Sequence, residues 1–250
     1  MKYLYYLIIV ISFTISPLMT DASERFSLEM EGGAAIVGSN NIQIPNPAGT
    51  LLSLTDALDV QEKAYFRLRL NYRFAKRHQL SLLYAPLSIK ANGKSRQAIF
   101  FQNTLFEAGS SLSALYRFNS YRLTYRYQLV NKEKLKLWAG FTAKIRDAEV
   151  ALETPEKKDN LTNVGFVPLL NLLIDWSWSK KSGLIFEADA MAAPGGQGRA
   201  EDVALSFYFK LDKKHLLKAG YRFVEGGSDV EKVYNFAFIN YFFAAYQFYF

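Results

Sequence analysis

Cysteine is absent from this 250-residue chain, and histidine occurs only twice. Without cysteine there can be no disulfide, thiolate metal ligand, thiol nucleophile or lipid anchor on a cysteine. Histidine-based acid–base chemistry is confined to His78 and His215. These two absences remove several common catalytic and metal-binding arrangements before any pattern is considered.

Long apolar runs are also missing after the first residues. Lys2, the apolar residues 3–15 and the helix-breaking Pro17 predict an export signal over residues 1–22, cleaved before Ser23. An uncleaved anchor is the alternative. The mature domain then covers residues 23–250. No later segment is apolar over the roughly 20 residues that a membrane-crossing helix needs, so a membrane location would require strands.

The charge is basic but not concentrated. The chain has 30 Lys and Arg against 23 Asp and Glu, a net charge of +7. These cations are spread through alternating segments instead of forming one arm or helix, which argues against a nucleic-acid partner. Half of the residues are hydrophobic, with 20 Phe and 16 Tyr, a composition typical of β-sheet proteins.

A two-residue period runs through the mature chain. In residues 63–75 the side chains of Phe66, Leu68 and Leu70 alternate with those of Arg67 and Arg69. Residues 135–146 and 203–212 repeat the same alternation. A helix would scatter these arginines around its surface, whereas a strand places them on one face.

Short polar connections alternate strictly with longer loops, the pattern of bacterial membrane barrels. We predict an all-β, closed, antiparallel up-and-down transmembrane β-barrel of about ten strands, with eight or twelve as alternatives. The uncertain segment is 92–110, where residues 98–106 could form a further strand or an ordered loop. The strands are predicted at residues 25–38, 63–75, 78–91, 111–130, 134–152, 164–179, 183–193, 202–212, 215–225 and 232–250.

The strand over 111–130 contains a change of phase. Tyr116 and Phe118 share one face, but Tyr121 and Leu123 continue the outward set on the other. A β-bulge near Asn119–Ser120 would restore the alternation. Two strands joined by a tight turn at 118–120 are the competing interpretation, and they would make the strand count odd.

The apolar face should point outward, into lipid. The polar faces carry too many arginines and lysines to line a dry core, whereas a charged, self-pairing interior accommodates them. Aromatic residues beside the short turns would form one interfacial girdle. That girdle consists of Tyr72, Phe74, Tyr125, Tyr127, Trp176, Trp178, Phe207, Phe209, Tyr249 and Phe250.

The last strand, residues 233–250, is rich in aromatics and finishes on Phe250. It resembles the C-terminal strand of the outer-membrane β-barrel proteins of Gram-negative bacteria. The resemblance covers the architecture of the whole chain and identifies no particular activity. It implies location in the outer membrane, contact with membrane lipid and lipopolysaccharide, and insertion by the barrel-assembly machinery.

Alternation also predicts which charges line the lumen. Arg73, Lys144 and Lys218 join the main set, and Glu201 and Glu225 are expected near the outer rim. These charges could form a salt-bridge network that fills a narrow barrel, or a basic binding site or anion-selective path. The main candidates are Arg67, Arg69, Arg117, Arg122, Arg126, Arg146, Asp175, Glu187, Asp189, Arg222 and Glu225.

The sequence favours no catalytic centre. Glu187 and Asp189 share a face, but neighbouring arginines should keep both ionised. His78 and His215 fall at predicted periplasmic turns, away from the outer leaflet where the barrel enzymes of lipid modification and proteolysis use a histidine. We therefore expect a monomer without metal or cofactor. The leading function is a narrow channel or a barrel that binds a small or lipid-like ligand; the alternatives are a scaffold acting through loops 39–62 and 92–110 and, less favoured, a lipid- or lipopolysaccharide-modifying enzyme.

Overall fold

A computed structural model describes residues 25–250, so the predicted export signal lies outside the described residues. Residues 25–250 form ten barrel strands, the third of them in two segments. They are β1 Phe26–Gln43, β2 Lys63–Phe74, β3 His78–Ala85 and Ser88–Lys94, β4 Ser111–Asn131, β5 Leu135–Glu153, β6 Lys158–Ser177, β7 Ser182–Ala192, β8 Gly198–Lys210, β9 His215–Val230 and β10 Val233–Tyr249.

Every strand pairs antiparallel with its neighbours in sequence, and β10 closes the sheet by pairing with β1. The closing ladder runs from Ser27 opposite Tyr249 to Gln43 opposite Tyr234. The predicted fold class, a closed antiparallel barrel of ten strands, is therefore confirmed. Among residues 25–250, no helix has the length and apolar character needed to cross a membrane.

Several strands extend further toward the long loops than the sequence predicted. β1 continues to Gln43, β6 begins at Lys158, and β9 continues to Val230. Backbone pairing does not need apolar side chains, so ladders continue into polar sequence where alternation no longer signals them. The uncertain segment adds no barrel strand, because Ile99–Phe101 and Thr104–Phe106 form a separate hairpin.

The predicted bulge at Asn119–Ser120 is wrong. β4 pairs with β5 without interruption there, with Asn119 opposite Asp147 and Ser120 opposite Arg146. The register shift lies further along, between Leu137 and Trp138 of β5. The alternation of β4 continues unchanged here, because Tyr116 and Arg122 are both buried inside the barrel. The aromatic side chains in the half of β4 near the long loops therefore belong to an apolar interior.

The outer surface is apolar in a broad belt. Its exposed side chains include Phe66, Leu82, Leu123, Phe141 and Phe242. Aromatic rings pack along the end of the barrel that carries the short turns, here called the short-turn end. Ring centroids of Phe26 and Tyr72 lie 4.5 Å apart, and those of Trp178 and Phe207 lie 5.7 Å apart. An apolar belt with an aromatic girdle is the surface of a membrane-spanning barrel.

The opposite, long-loop end is filled by an apolar cap. The loop between β1 and β2 includes the short helix Leu54–Ala57, and the loop between β3 and β4 contains the small hairpin. Their side chains pack with inward residues of the strands in one cluster. The buried members from the loops are Ile44, Leu52, Leu54, Leu58, Ile99, Phe101 and Phe106. The long loops therefore form an ordered lid on the lumen.

Candidate functional site

Asp202 is the centre of a buried charge layer across the barrel. Its carboxylate forms ion pairs with three arginines on other strands. Nη2 of Arg67 lies at 3.1 Å, Nη2 of Arg122 at 2.7 Å and Nη1 of Arg222 at 2.5 Å. β2, β4, β8 and β9 bring these groups together because alternation turns every second side chain inward. Pairing with three guanidinium groups offsets much of the free energy that the carboxylate loses when it leaves water.

Glu187 and Asp189 extend the layer toward the short-turn end. Glu187 binds Nη1 of Arg69 at 2.6 Å and also pairs with Arg126. Asp189 accepts from Nη1 of Arg122 at 2.9 Å. The two carboxylates that alternation places side by side are thus each held by arginine, an arrangement that stabilises both in the ionised form.

Three acidic members of this layer, Glu29, Glu31 and Asp202, were not predicted from the sequence. Glu29 pairs with Lys218, and Oε2 of Glu31 lies 3.0 Å from Nη2 of Arg222. The signal was present, since Glu29 and Glu31 alternate with the outward Leu28 and Met30, and Asp202 precedes the outward Val203.

The structure moves three predicted lumen charges to the outer face. Arg117 lies on the same outward face of β4 as Leu115, and it pairs with Glu149 at 2.8 Å and Asp147 at 3.4 Å. Glu225 pairs with the exposed Arg199, and Glu201 lies opposite Glu225 on the same face. The error for Arg117 follows from the assumed bulge, which inverted the faces of the outer half of β4.

Between the charge layer and the cap, the barrel interior is tightly packed. The phenol of Tyr65 donates to Oε1 of Glu31 at 3.0 Å, and its ring meets that of Tyr241 at a centroid distance of 4.7 Å. Two small cavities in this zone have volumes of about 20 and 10 Å³. Each has room for about one water molecule.

A cavity of about 680 Å³ opens at the short-turn end and finishes at the charge layer. Asp175 lines it and accepts from the phenol of Tyr208 at 3.1 Å. Backbone N–H groups of Lys214 and His215 donate to the exposed Asp212 carboxylate and lower its pKa. The cationic side chains that line this cavity are those of Arg69, Arg73, Arg126, Lys136, Lys180, Lys181, Lys210, Lys213 and Lys218.

Both histidines lie at this same end. Nδ1 of His78 lies 2.8 Å from the phenol oxygen of Tyr125, and His215 makes the corresponding contact with Tyr246. These are contacts within the aromatic girdle. Among residues 25–250, no three His, Asp or Glu side chains are arranged to hold a metal ion.

A second pocket, of about 250 Å³, lies in the wall near the long-loop end; we call it the wall pocket. It is formed where β6 and β7 separate: the two strands pair only from Leu170 opposite Ala190 to Ser177 opposite Gly183. Phe166, Pro168 and Met191 border it from the wall. Its inner side is formed by Tyr116, Phe118, Val224, Ala237 and Ile239.

The lining of this pocket also contains charged side chains: Arg199 and Glu225, which pair with each other, and the cations Lys144 and Arg146. Lys144 is only 3% exposed, and its ammonium lies 4.7 Å from the centre of the Phe118 ring. Within the described part of the chain the Lys144 side chain forms no ion pair and no hydrogen bond, because Arg122 engages both Asp189 and Asp202. Arg146 binds the side chain of Asn163, while its buried Nε has no partner in residues 25–250.

Gly165 leaves room for the Arg146 guanidinium. A Cβ atom at Gly165 would lie 3.2 Å from Nη2 of Arg146, closer than ordinary van der Waals contact. An unpaired ammonium in an apolar pocket is costly, and an anionic group of a ligand would remove that cost. Chemically, the wall pocket suits a molecule with one small anionic group and a hydrocarbon part.

Comparisons with known proteins agree on the fold. No family model matches the chain, and no curated protein sequence matches it. Among solved structures, the outer membrane protease OmpT from Escherichia coli superposes with a TM-score of 0.59 at 8% identity, covering 93% of this chain and 99% of that one. The attachment invasion locus protein Ail of Yersinia pestis, in complex with the heparin analogue sucrose octasulfate, gives a TM-score of 0.41 at 11% identity over 90% of this chain and 99% of its own.

The translocator domain of the autotransporter NalP from Neisseria meningitidis gives a TM-score of 0.46 at 9% identity, over 90% of this chain and 88% of that domain. At such identities the similarity concerns the fold, and only OmpT exceeds a TM-score of 0.5 among these three. The chain therefore has the fold of the outer-membrane β-barrel proteins, and the resemblance noted from its last strand is confirmed.

Proposed function

We propose that this protein is a bacterial outer-membrane barrel that binds an amphipathic anion in the wall pocket. The observation that carries the proposal is Lys144, a buried, unpaired ammonium that enters a pocket with apolar walls. Arg146 adds a second cation to the same pocket. In a concave site that is mainly apolar, a small number of polar groups fixes the orientation of the bound ligand.

A binding barrel is favoured over a channel because the lumen is blocked twice. The arginine–carboxylate layer crosses it near the middle of the strands, and the apolar cap closes the long-loop end. Between them, two of the cavities each hold about one water molecule, and the larger wall pocket lies to one side, against β5 and β6. A conducting path would need several of these contacts to open together.

The proposal is tested by the binding of dodecyl phosphate to the refolded protein in non-ionic detergent, counted by native mass spectrometry. Lys144→Met keeps the length of the side chain and removes its charge. We expect it to weaken dodecyl phosphate binding at least tenfold, or about 1.4 kcal/mol. Neutral dodecanol should bind the wild type and K144M equally.

The matched control is Lys158→Met, which removes an exposed rim lysine paired with Glu153. K158M should bind dodecyl phosphate as the wild type does. Equal binding of dodecyl phosphate by K144M and the wild type would refute the proposal. Stronger binding of dodecanol than of dodecyl phosphate by the wild type would also refute it, since the pocket would then select its ligand by its apolar walls alone.

A second candidate function is interaction through the outer cap. The observation in its favour is the ordered packing of both long loops, which presents a fixed surface beyond the membrane. Shortening the hairpin between β3 and β4 should abolish a cap-borne interaction and leave dodecyl phosphate binding unchanged. Loss of both together would instead mean that the cap supports the wall pocket.

The cellular setting belongs to the same proposal. Residues 1–22 direct export, the barrel inserts as a monomer through the barrel-assembly machinery, and its belt contacts membrane lipid and lipopolysaccharide. The short-turn end then faces the periplasm, as in bacterial barrels generally. The apolar belt and the aromatic girdle support this orientation. Fractionation of cells that express the full chain tests the membrane location: recovery of the protein in the soluble fraction would contradict it.

A further inference from the structure

The wall of the barrel is split where β6 runs past the end of β7. β6 has 20 residues and β7 has 11. Residues 158–169 of β6 pair with β5, but their other edge has no partner on β7. Met191 and Ala192 keep their pairing with β8 on the opposite edge of β7. We call this unpaired edge, between residues 158–169 and the end of β7, the seam.

The local sequence explains why the seam stays unpaired. Pro168 has no N–H to donate, and proline is tolerated in strands mainly at edges. β7 is stopped early by a turn in which Gly195 and Gly196 have φ values of +73° and +75°. Those values suit glycine and would strain other residues. Both sides of the seam therefore carry residues that prevent the ladder from continuing.

The seam opens at the level of the lipid-facing belt. On β6, Val164 and Phe166 are 69% and 64% exposed, and both flank the unpaired edge. Asn160, further toward the long loops, is polar and hydrogen-bonds Glu149 at 2.9 Å. Free backbone groups are tolerated at membrane depth only where they line a cavity, and the seam borders the wall pocket.

The size of the wall pocket limits what it can enclose. Its volume of about 250 Å³ lies below the roughly 300–1,000 Å³ of pockets that enclose drug-sized ligands. The ammonium of Lys144 lies deep on the inner side, whereas Phe166 and Met191 border the outside. A ligand anion that reaches Lys144 must therefore leave most of a long hydrocarbon chain outside the pocket.

From this geometry we infer that the ligand is a single-chain lipid with a small anionic head, taken sideways from the outer leaflet through the seam. The head pairs with Lys144 and Arg146 inside the wall, and the hydrocarbon tail stays in the bilayer along Phe166. This inference rests on the proposed function, and it adds the ligand class, the direction of access and the orientation of the bound molecule. A carboxylate and a phosphate monoester share the required chemistry.

Photolabelling in vesicles tests the orientation. Hexadecanoate and hexadecyl phosphate, each with a diazirine either next to the head or at the tail end, are added to the protein in phosphatidylcholine vesicles. We expect the head-proximal probe to label Tyr116 or Phe118, and the tail-end probe to label Phe166, Leu170 or lipid. The two heads, compared in parallel, show which anion is preferred. Labelling of Trp138 or Leu173, in the cavity of the short-turn end, would mean access from the other side and would overturn the inference.

Covalent closure tests the direction of access. The chain has no cysteine, so Leu169→Cys with Met191→Cys introduces the only thiols, at the position where the ladder would continue. Closure of the seam as a disulfide should slow uptake of hexadecanoate from vesicles at least tenfold, and reduction should restore it. The control pair is Leu123→Cys with Ala143→Cys, opposite each other in the intact ladder of β4 and β5. Its oxidation should not change the rate.

The two proposals fail differently. If K144M weakens binding but the closed seam takes up ligand at the open rate, the lateral access is wrong and the wall pocket stands. If K144M binds hexadecanoate and hexadecyl phosphate as the wild type does, and no probe labels Tyr116 or Phe118, the binding function itself is wrong. Uptake that stays slow after reduction would mean that the cysteine variant is misfolded, and the photolabelling result then decides.

Discussion

Single buried charges decide whether the interior of this barrel holds together. Asp202 compensates three arginines from three strands, so its carboxylate links β2, β4 and β9 to β8. Lys144 has the opposite environment, because no carboxylate is left to pair with it. Asp202 is thus fully paired, whereas Lys144 has no counter-ion among residues 25–250, and we assign stability to Asp202 and ligand binding to Lys144.

Asp202→Asn should destabilise the barrel strongly. The neutral amide leaves three buried guanidinium groups without their shared anion, and breaking a buried ion pair in this way costs about 3–5 kcal/mol. The free energy of unfolding, measured by urea titration in lipid vesicles, should fall by that amount.

Glu225→Gln is the matched control, since Glu225 pairs with an exposed arginine at the rim. Exposed pairs contribute about 0–1 kcal/mol, so E225Q should unfold nearly as the wild type does. Equal losses in D202N and E225Q would show that the central layer adds no more stability than a surface pair.

Sequence periodicity reached much of this residue-level description, but not all of it. Arg67, Arg122 and Arg222 could be assigned to the interior because their neighbours are plainly apolar. Arg117 could not, because the apolar side chains of β4 switch from the lipid-facing side, at Leu123, to the inward side beneath the cap, at Tyr116, while the alternation of the strand continues unchanged. Alternation reports which side chains share a face, and it does not report whether that face meets lipid or a core. Lys144 was placed inside by alternation, whereas its lack of a partner depends on the other strands.

At the scale of elements, the long loops behave as a folded cap and not as free connections. Phe106 is completely buried between the small hairpin and the barrel wall, whereas Phe100 on the same hairpin is 36% exposed. The sequence predicted the loops by their length and composition. It did not predict their packing, because the contacts join the β1–β2 loop to the β3–β4 loop, far apart in the chain.

Phe106→Ala should loosen this cap without unfolding the barrel. Truncating a fully buried phenylalanine costs about 3–5 kcal/mol in a closely packed core. The long loops should therefore become sensitive to added protease, while the barrel strands remain protected in the membrane.

Phe100→Ala is the control for the same hairpin and should leave protease resistance close to that of the wild type. Rapid cleavage in both variants would indicate that the hairpin opens regardless of its packing. Resistance in both would mean that the buried ring is not what holds the cap.

At the scale of the whole molecule, an apolar outside, a charged layer and an apolar cap divide the barrel into compartments. The cavity at the short-turn end and the wall pocket lie on different sides of the charge layer, so a solute in one does not pass to the other. The architecture, the strand count and the outward apolar face followed from sequence alternation and turn spacing. The seam did not, because it depends on how far β7 extends relative to β6.

The central claim is that this barrel works through its wall and not through its lumen. Conductance of the refolded protein in a planar lipid bilayer tests that claim most directly, with Arg122→Ala measured beside the wild type as a variant of the charge layer. We expect no stable current steps from the wild type, because both the charge layer and the cap close the centre. Steady, anion-favouring steps from the wild type, altered in R122A, would show an open path through the arginines and would contradict the account.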